Sequence, residues 1–373
     1  MLYSGIDLHK WTLAIHTVDA AGTLVRKADL PTRREAVTAY FATLDGPHQA
    51  VCECTSMWYW VRDLLVPQGI DLRLAHAKYL KAISYAKVKT DAVDAATMAQ
   101  LLRVQLIPEA HMIREGMREV RDLLRSRLVL VSRGMQCQRA IGALLEKYNV
   151  PTPVELPALP RLQATLHTAQ RALLKTHVQR LDHELRDHVL ATPDAQRLVW
   201  VPGIGRMVAY TLLLEIDDIQ RFPTVRHFHS YCRLVPGSHD SGGKTRHKRS
   251  RDGNRYVKMA FHHAAIRAIQ YFPEVKAEFQ RWQRRKGKPI ARALIAKELA
   301  TIVYAMLSKG EPFNKQFHGH PVVTTKRCTW PCHHQFDLGQ NRRLRSGHIA
   351  GEQSRAAAPS GAAAAPPSRV RLT

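Results

Sequence analysis

Long apolar runs are missing from this chain. No uncharged stretch of about 18 residues occurs, so no membrane-spanning helix is expected. The start shows no secretory signal segment either. Paired cysteines are also missing. Cys52, Cys54, Cys137, Cys232, Cys328 and Cys332 are scattered without a C-x-x-C pair, and are expected to stay reduced in a cytosolic compartment. Cys328-x3-Cys332-His333-His334 has a metal-like look but lacks a second ligand cluster at zinc-finger spacing, so zinc is not expected. Acids are scarce. Against 56 Lys and Arg stand 31 Asp and Glu, a net charge of +25. That imbalance argues against an ordinary soluble enzyme and for a polyanionic partner, nucleic acid first. With membrane spans and a leader absent, a cytoplasmic, nucleoid-associated bacterial protein is expected.

What is present is enough for two or three domains: 373 residues, 45% of them hydrophobic. Residues 2–9, 12–18 and 23–30 read as three strands, with Asp19-Ala20-Ala21-Gly22 as a turn. A helix over 33–44, a strand over 49–54, a helix carrying Trp58, Trp60, Val61, Leu64 and Leu65, and a strand over 71–75 follow. Three antiparallel strands and then alternating helix and strand is the order of a ribonuclease-H-like α/β sheet.

Four acids stand out against this pattern. Asp7 lies inside the first strand, Glu53 near the end of the fourth, and Asp91 and Asp94 at the start of a helix running to about Arg103. A spacing of three puts both aspartates on one helical face, where the helix N-terminus tolerates them and Thr90 can cap it. An acid inside an apolar strand is costly unless paired or bound to a cation. Converging carboxylates repel one another, and a divalent ion removes the penalty; hard oxygen ligands select Mg²⁺ or Mn²⁺.

Residues 114–148 and 161–190 carry leucines and valines at three- and four-residue steps. Between them Pro151, Pro153, Pro157 and Pro160 interrupt the pattern. The reading is an antiparallel helical hairpin, a coiled-coil arm. Pro202-Gly203-Ile204-Gly205 then enters an apolar helix, as in a helix-hairpin-helix turn. Its glycines, Gly203 and Gly205, would offer backbone N–H groups to a phosphate. Residues 218–235 read as two short helices, 256–271 as an amphipathic helix, and 274–308 as helix broken at Lys286-Gly287-Lys288-Pro289. Residues 355–373 are Ala, Pro, Ser and Arg with little else, a disordered tail by composition.

Between these helices lies Asp240-Ser241-Gly242-Gly243-Lys244-Thr245-Arg246-His247-Lys248-Arg249, with Arg251 just beyond. The glycine pair lets backbone approach a ligand. The cations Lys244, Arg246, Lys248, Arg249 and Arg251 would neutralise phosphates. Ser241 is placed to be a nucleophile toward a phosphodiester.

Taken in order, these motifs are similar to those of the DEDD transposases of insertion sequences, the IS-one-ten family. They are Gly5-Ile6-Asp7-Leu8-His9-Lys10, Glu53, Lys89-Thr90-Asp91-Ala92-Val93-Asp94, Pro202-Gly203-Ile204-Gly205, Arg221-Phe222-Pro223 and Ser241-Gly242-Gly243-Lys244. Trp58-Tyr59-Trp60 after Glu53 resembles the IS-eleven-eleven subgroup. The likeness spans about residues 2–318, and the end beyond His318 departs from the family pattern. The resemblance implies a RuvC-like domain over residues 1–110 with Asp7, Glu53, Asp91 and Asp94 as its metal site. It implies a coiled-coil arm over 111–192 and a mainly helical domain over 193–318 whose Ser241 attacks DNA, with a low-complexity tail over 319–373. It further implies a homo-oligomer, a dimer of dimers, and a structured guide RNA that specifies target and donor. Two other readings fit the same residues. One is a metal-dependent, junction-resolvase-like nuclease in which Ser241 is structural. The other is a non-catalytic nucleic-acid-binding protein.

Overall fold

The computed structural model describes residues 1–83, 90–190, 192–241, 244–248 and 252–313, with backbone alone at 189–190, 238–241 and 244–248. Strands β1 (Leu2–Leu8), β2 (Thr12–Val18) and β3 (Leu24–Pro31) form an antiparallel meander. Helix α1 (Arg34–Phe41) leads to β4 (His48–Glu53), α2 (Trp58–Leu65) to β5 (Asp71–Ala75), and α3 (Ala77–Ile83) and α4 (Asp91–Arg103) follow. The sheet order is β3-β2-β1-β4-β5, with β4 parallel to β1 and β5 parallel to β4.

Strand alternation divides the central strands between two apolar layers. Ile6, Leu8, Ala50, Cys52, Leu72 and Leu74 face α1 and α2 through Val37, Phe41, Trp58, Val61 and Leu65. Val51 and Ala75 face α4 through Met98 and Leu102, with Tyr3 packed alongside. Gly5, in register with Val51, lies on the α4 side. A Cβ there would come within 2.0 Å of Ala95 O and 2.7 Å of Ala99 N. Only glycine lets α4 lie this close to β1.

Two long helices leave this layer structure. α5 (Glu115–Tyr148) and α6 (Ala158–Leu190) form an antiparallel hairpin. Leu124 packs with Leu185, Arg127 pairs with Asp182, and Cys137 Sγ lies 3.4 Å from Gln170 Oε1. Asn149, at φ 49°, ends α5 in the left-handed conformation.

The rest is mostly helical: α7 (Pro193–Leu198), α8 (Arg206–Ile216), α9 (Val225–Tyr231), α10 (Arg255–Tyr271), α11 (Pro273–Lys286) and α12 (Lys288–Lys309). Leu212, Phe228, Phe261, Ile295 and Leu299 are among its core residues. A two-stranded hairpin, β6 (Gly237–Ser241) and β7 (Lys244–Lys248), stands between α9 and α10.

Several expectations need correction. Residues 218–235 hold one helix, α9, not two; around 218–223 the backbone turns, with Asp218 Oδ1 accepting from Gln220 N at 2.8 Å. The serine segment, expected as a loop, is a β-hairpin over its described residues. Helices α3 and α7 were not expected; both are single short elements of 7 and 6 residues, too short for a clear helical period. Gly242, Gly243, Arg249, Arg251, the Cys328–His334 motif and the tail lie outside the described residues.

Candidate functional site

β1 and α4 run in opposite directions, so the C-terminal end of β1 meets the N-terminus of α4. Tyr3, Gly5 and Asp7 share one face of β1. Tyr3 meets Met98 and Leu102, Gly5 meets Ala95 and Ala99, and Asp7 comes to the first turn of α4. That turn carries Asp91 and Asp94, and Thr90 Oγ1 caps it by accepting from Val93 N at 3.3 Å. Acids are favoured at this end of a helix.

Asp7 is 8% exposed, and it is the one charged residue of its strand. Burial pushes its carboxyl above the usual range; His9 beside it pulls down, and Asp91 and Asp94 push up again. Glu53 joins from the neighbouring strand. It pairs with Ala75, whose side chain lies in the α4 layer, and the parallel register of Ile6 with Cys52 sets Glu53 beside Asp7 one residue on. The four acids therefore lie where the C-terminal ends of the central strands β1 and β4 meet the first turn of α4.

His9 belongs to the same group, though the sequence reading passed over it. Its Nε2 lies 3.3 Å from Asp7 Oδ2 and 3.5 Å from Asp91 Oδ1. One ligand atom from each of Asp7, His9 and Asp91 falls within 4.8 Å of the others. The signal was legible: in a strand, residues two apart point the same way, so Asp7-Leu8-His9 offers two polar groups to one side. A buried carboxyl with a raised pKa among further acids is a set of hard donors suited to a divalent ion.

The serine hairpin is held by a separate constellation. Ser241 is the last residue of β6 and pairs with Lys244. Lys244, Arg246 and Lys248 occupy alternate positions of β7, opposite Ser241, His239 and Gly237. Where the chain returns from the hairpin, Asp252 forms an ion pair with Lys78 of α3. Gly253 follows at φ 94°, pressed on Tyr231: a Cβ would lie 2.3 Å from Tyr231 O. Asn254 then caps α10, its Oδ1 accepting from Tyr256 N and Val257 N at 2.8 and 3.1 Å.

The Asn254 amide also donates to Glu215 Oε2 at 2.7 Å. Glu215 is fully buried in α8 and takes both arms of Arg125 from α5, each at 2.6 Å. Arg125 in turn lies over the Tyr256 ring. A fork-to-fork pair of this kind is strong and directional. Further along α5, Arg118 lies over Trp58 and Tyr59 and pairs with Asp63, while Arg121 donates to Tyr59 Oη at 3.0 Å. Burial raises the Cys54 thiol, with Arg121 pulling it down, Glu53 pushing it up and Arg125 pulling it down. The base of α5 thus touches both α2, which follows the strand bearing Glu53, and the helix start behind the hairpin.

Gly203 and Gly205 were expected to present backbone to a phosphate. Gly203, at φ 81°, lies on α10: a Cβ would come within 2.1 Å of Ala264 O and 2.7 Å of Ala268 N. Close packing accounts for that glycine. Gly205 is the N-cap of α8 and has open space at its Cβ position.

Two family models match the sequence. One, described as a transposase and named for the DEDD transposases of IS110, covers residues 4–150 and so takes in Asp7, His9, Glu53, Asp91 and Asp94. The other, the transposase IS116/IS110/IS902 family, covers residues 195–280, which include Glu215, Ser241 and Asn254. A probable family 20 transposase of Pseudomonas aeruginosa is 29% identical over 82% of this chain and 96% of its own. The transposase of insertion sequence element IS1328 of Yersinia enterocolitica is 26% identical over 83% of this chain and 98% of its own. A pilin gene-inverting protein of Moraxella bovis is 32% identical over 38% of this chain and 46% of its own.

Proposed function

Because this chain belongs to the IS116/IS110/IS902 transposase family, and is therefore an enzyme of DNA transposition, we propose that it cuts and rejoins DNA with two cooperating sites. One is a RuvC-like metal site of Asp7, Glu53, Asp91 and Asp94. The other is the nucleophilic Ser241. The observation that carries this reading is the meeting of Asp7 and Asp91 with His9 at the C-terminal end of β1. A divalent ion held there, Mg²⁺ or Mn²⁺, would polarise the scissile phosphate and offset developing charge.

The chain's own residues do the rest. Asp7 and Glu53 on adjacent strands and Asp91 and Asp94 on α4 fix the donor set on rigid elements. Ser241 Oγ forms a bond to phosphorus as the bond from phosphorus to the leaving sugar oxygen breaks. The serine proton passes to a nearby base, and the leaving oxygen takes up a proton. The phosphodiester energy is kept in the serine ester, so a sugar hydroxyl can reverse the step on a new partner. Lys244, Arg246, Lys248, Arg249 and Arg251, with Gly242 and Gly243 as the approach, would neutralise phosphates around the serine. A backbone phosphate contact at Gly205 fits the open start of α8. In the proposed division, residues 1–110 form the metal domain, 111–192 the arm, 193–318 the serine domain and 319–373 a tail.

DNA is the substrate. A guide RNA and a homo-oligomer, dimer or tetramer, are proposed as further partners, in a bacterial cytoplasm; no described helix is long and apolar enough to cross a membrane. The test is a suicide DNA substrate with wild type and Ser241→Ala. Wild type should leave a covalent protein–DNA adduct, and Ser241→Ala should lose both adduct and cleavage while still binding DNA. Cleavage without an adduct in Ser241→Ala would instead identify a nuclease that uses water.

A further inference from the structure

We infer that His9 is a nitrogen ligand of the ion held by Asp7 and Asp91, and that it biases this site toward Mn²⁺ over Mg²⁺. The inference rests on the metal-site reading above and adds to it a residue outside the four acids.

Three observations support it. His9 follows Asp7 by two residues at the end of β1, so both side chains leave the strand on the α4 side while Leu8 between them is buried in the opposite layer. The backbone of His9 is pinned on both sides: its N–H donates to Thr12 O at 3.0 Å, and its carbonyl accepts from Thr32 Oγ1 at 2.9 Å. The imidazole therefore starts from a fixed point. Its Nε2 then lies 3.3 and 3.5 Å from carboxylate oxygens on two different elements. Ligands on neighbouring corners of an octahedron with bonds of about 2.1 Å stand about 3.0 Å apart. A contraction of a few tenths of an ångström would bring the imidazole nitrogen to that spacing from both carboxylates.

The consequence is chemical. Carboxylates alone suit Mg²⁺, whereas an imidazole raises affinity for transition ions and adds little for Mg²⁺. A hydrogen bond from His9 that merely orients Asp7 would leave the preference of the acids unchanged.

Full-length protein, stripped with chelator and titrated with Mn²⁺ alone, tests this by pulsed electron paramagnetic resonance. Bound Mn²⁺ should show ¹⁴N modulation from an imidazole. Because the chain has 20 histidines, the signal is assigned by difference. Asp7→Asn should abolish the bound population at this site. His9→Ala should keep bound Mn²⁺ but lose the modulation, with Mn²⁺ binding weaker by about tenfold or more and Mg²⁺ affinity nearly unchanged, so that Mg²⁺ displaces Mn²⁺ about tenfold more readily. His9 is half exposed, so its melting midpoint should match wild type and rule out unfolding. Mn²⁺ that Asp7→Asn releases, yet whose modulation His9→Ala leaves unchanged or which shows none, overturns the role of His9 and leaves the metal site standing. Mn²⁺ binding indifferent to Asp7→Asn overturns the metal site and His9 together.

Discussion

In the N-terminal sheet, Gly5 lets β1 lie on Ala95 and Ala99 of α4; in the helical region, Gly203 lets the turn before α8 lie on Ala264 and Ala268 of α10. The packing device is the same, a glycine on an alanine pair one helical turn apart. The treatment of carboxylates is opposite. Asp7 meets two further acids and a histidine, and its carboxyl is pushed up, chiefly by burial. Glu215, just as hidden, is clasped by Arg125 and Asn254. At Asp217, burial pushes the carboxyl up, but hydrogen bonds from Arg114 and His111 outweigh it and the net shift is down. Equally buried acids are thus a load in one region and a fastening in the other. That difference is what the proposed metal site rests on.

The largest expected effect comes from the N-terminal set. Asp7→Asn should remove strand cleavage altogether while leaving the melting midpoint unchanged or higher. An acid whose folded pKa is raised disfavours folding when ionised, and stability rises as pH falls through that pKa; a neutral amide removes the penalty. Loss of stability in Asp7→Asn, read by thermal denaturation, would break the contrast with Glu215.

Next in size is the clasp. Arg125→Ala leaves a buried carboxylate without its partner and should cost about 3–5 kcal/mol by denaturant titration. Arg125→Met combined with Glu215→Leu should recover part of it, because both charges are then gone.

The two glycines sharpen the comparison further. Gly5→Ala should cost about 1–3 kcal/mol by overpacking against backbone. Gly203→Ala should cost about 1 kcal/mol more, since its φ of 81° also strains alanine. Equal midpoints for the two variants would show that the turn relaxes where the strand cannot.

The smallest effect is a pH slope. The Asp217 carboxyl is lowered in the fold. Its stabilisation is therefore complete above the unfolded value near 4 and is lost as pH falls through the folded value. Asp217→Asn should cost about 1.5 kcal/mol at neutral pH and flatten the fall in stability below about pH 4. An unchanged acid limb would assign that fall to other carboxylates.

Much of this arrangement was legible in the chain. Period-two alternation located β1, β2, β4 and β5 within about a residue, and the acid inside an apolar strand pointed to Asp7. The same rule, applied to Leu214-Glu215-Ile216 in an apolar helix, would have found Glu215. Its partner Arg125 was not legible, because 90 residues separate the two and only the arm's docking brings them together. The hairpin was read as a loop because its residues are polar and basic, whereas β6 and β7 are defined by pairing with each other. The close approach of α10 to Gly203 was not legible, because sequence shows a glycine's freedom and not the helix pressed against it.

The length of α5 has a mechanical consequence. Its 34 residues span about 51 Å. Its base is gripped through Arg118, Arg121 and Arg125, and its far half packs on α6. It is a cantilever. A tilt of about 10° at the base would carry the tip about 9 Å, nearly three base-pair steps along a duplex. A rearrangement of two side chains around Glu215 that tilted the base by that angle would thus be magnified into a displacement of about 9 Å at the tip.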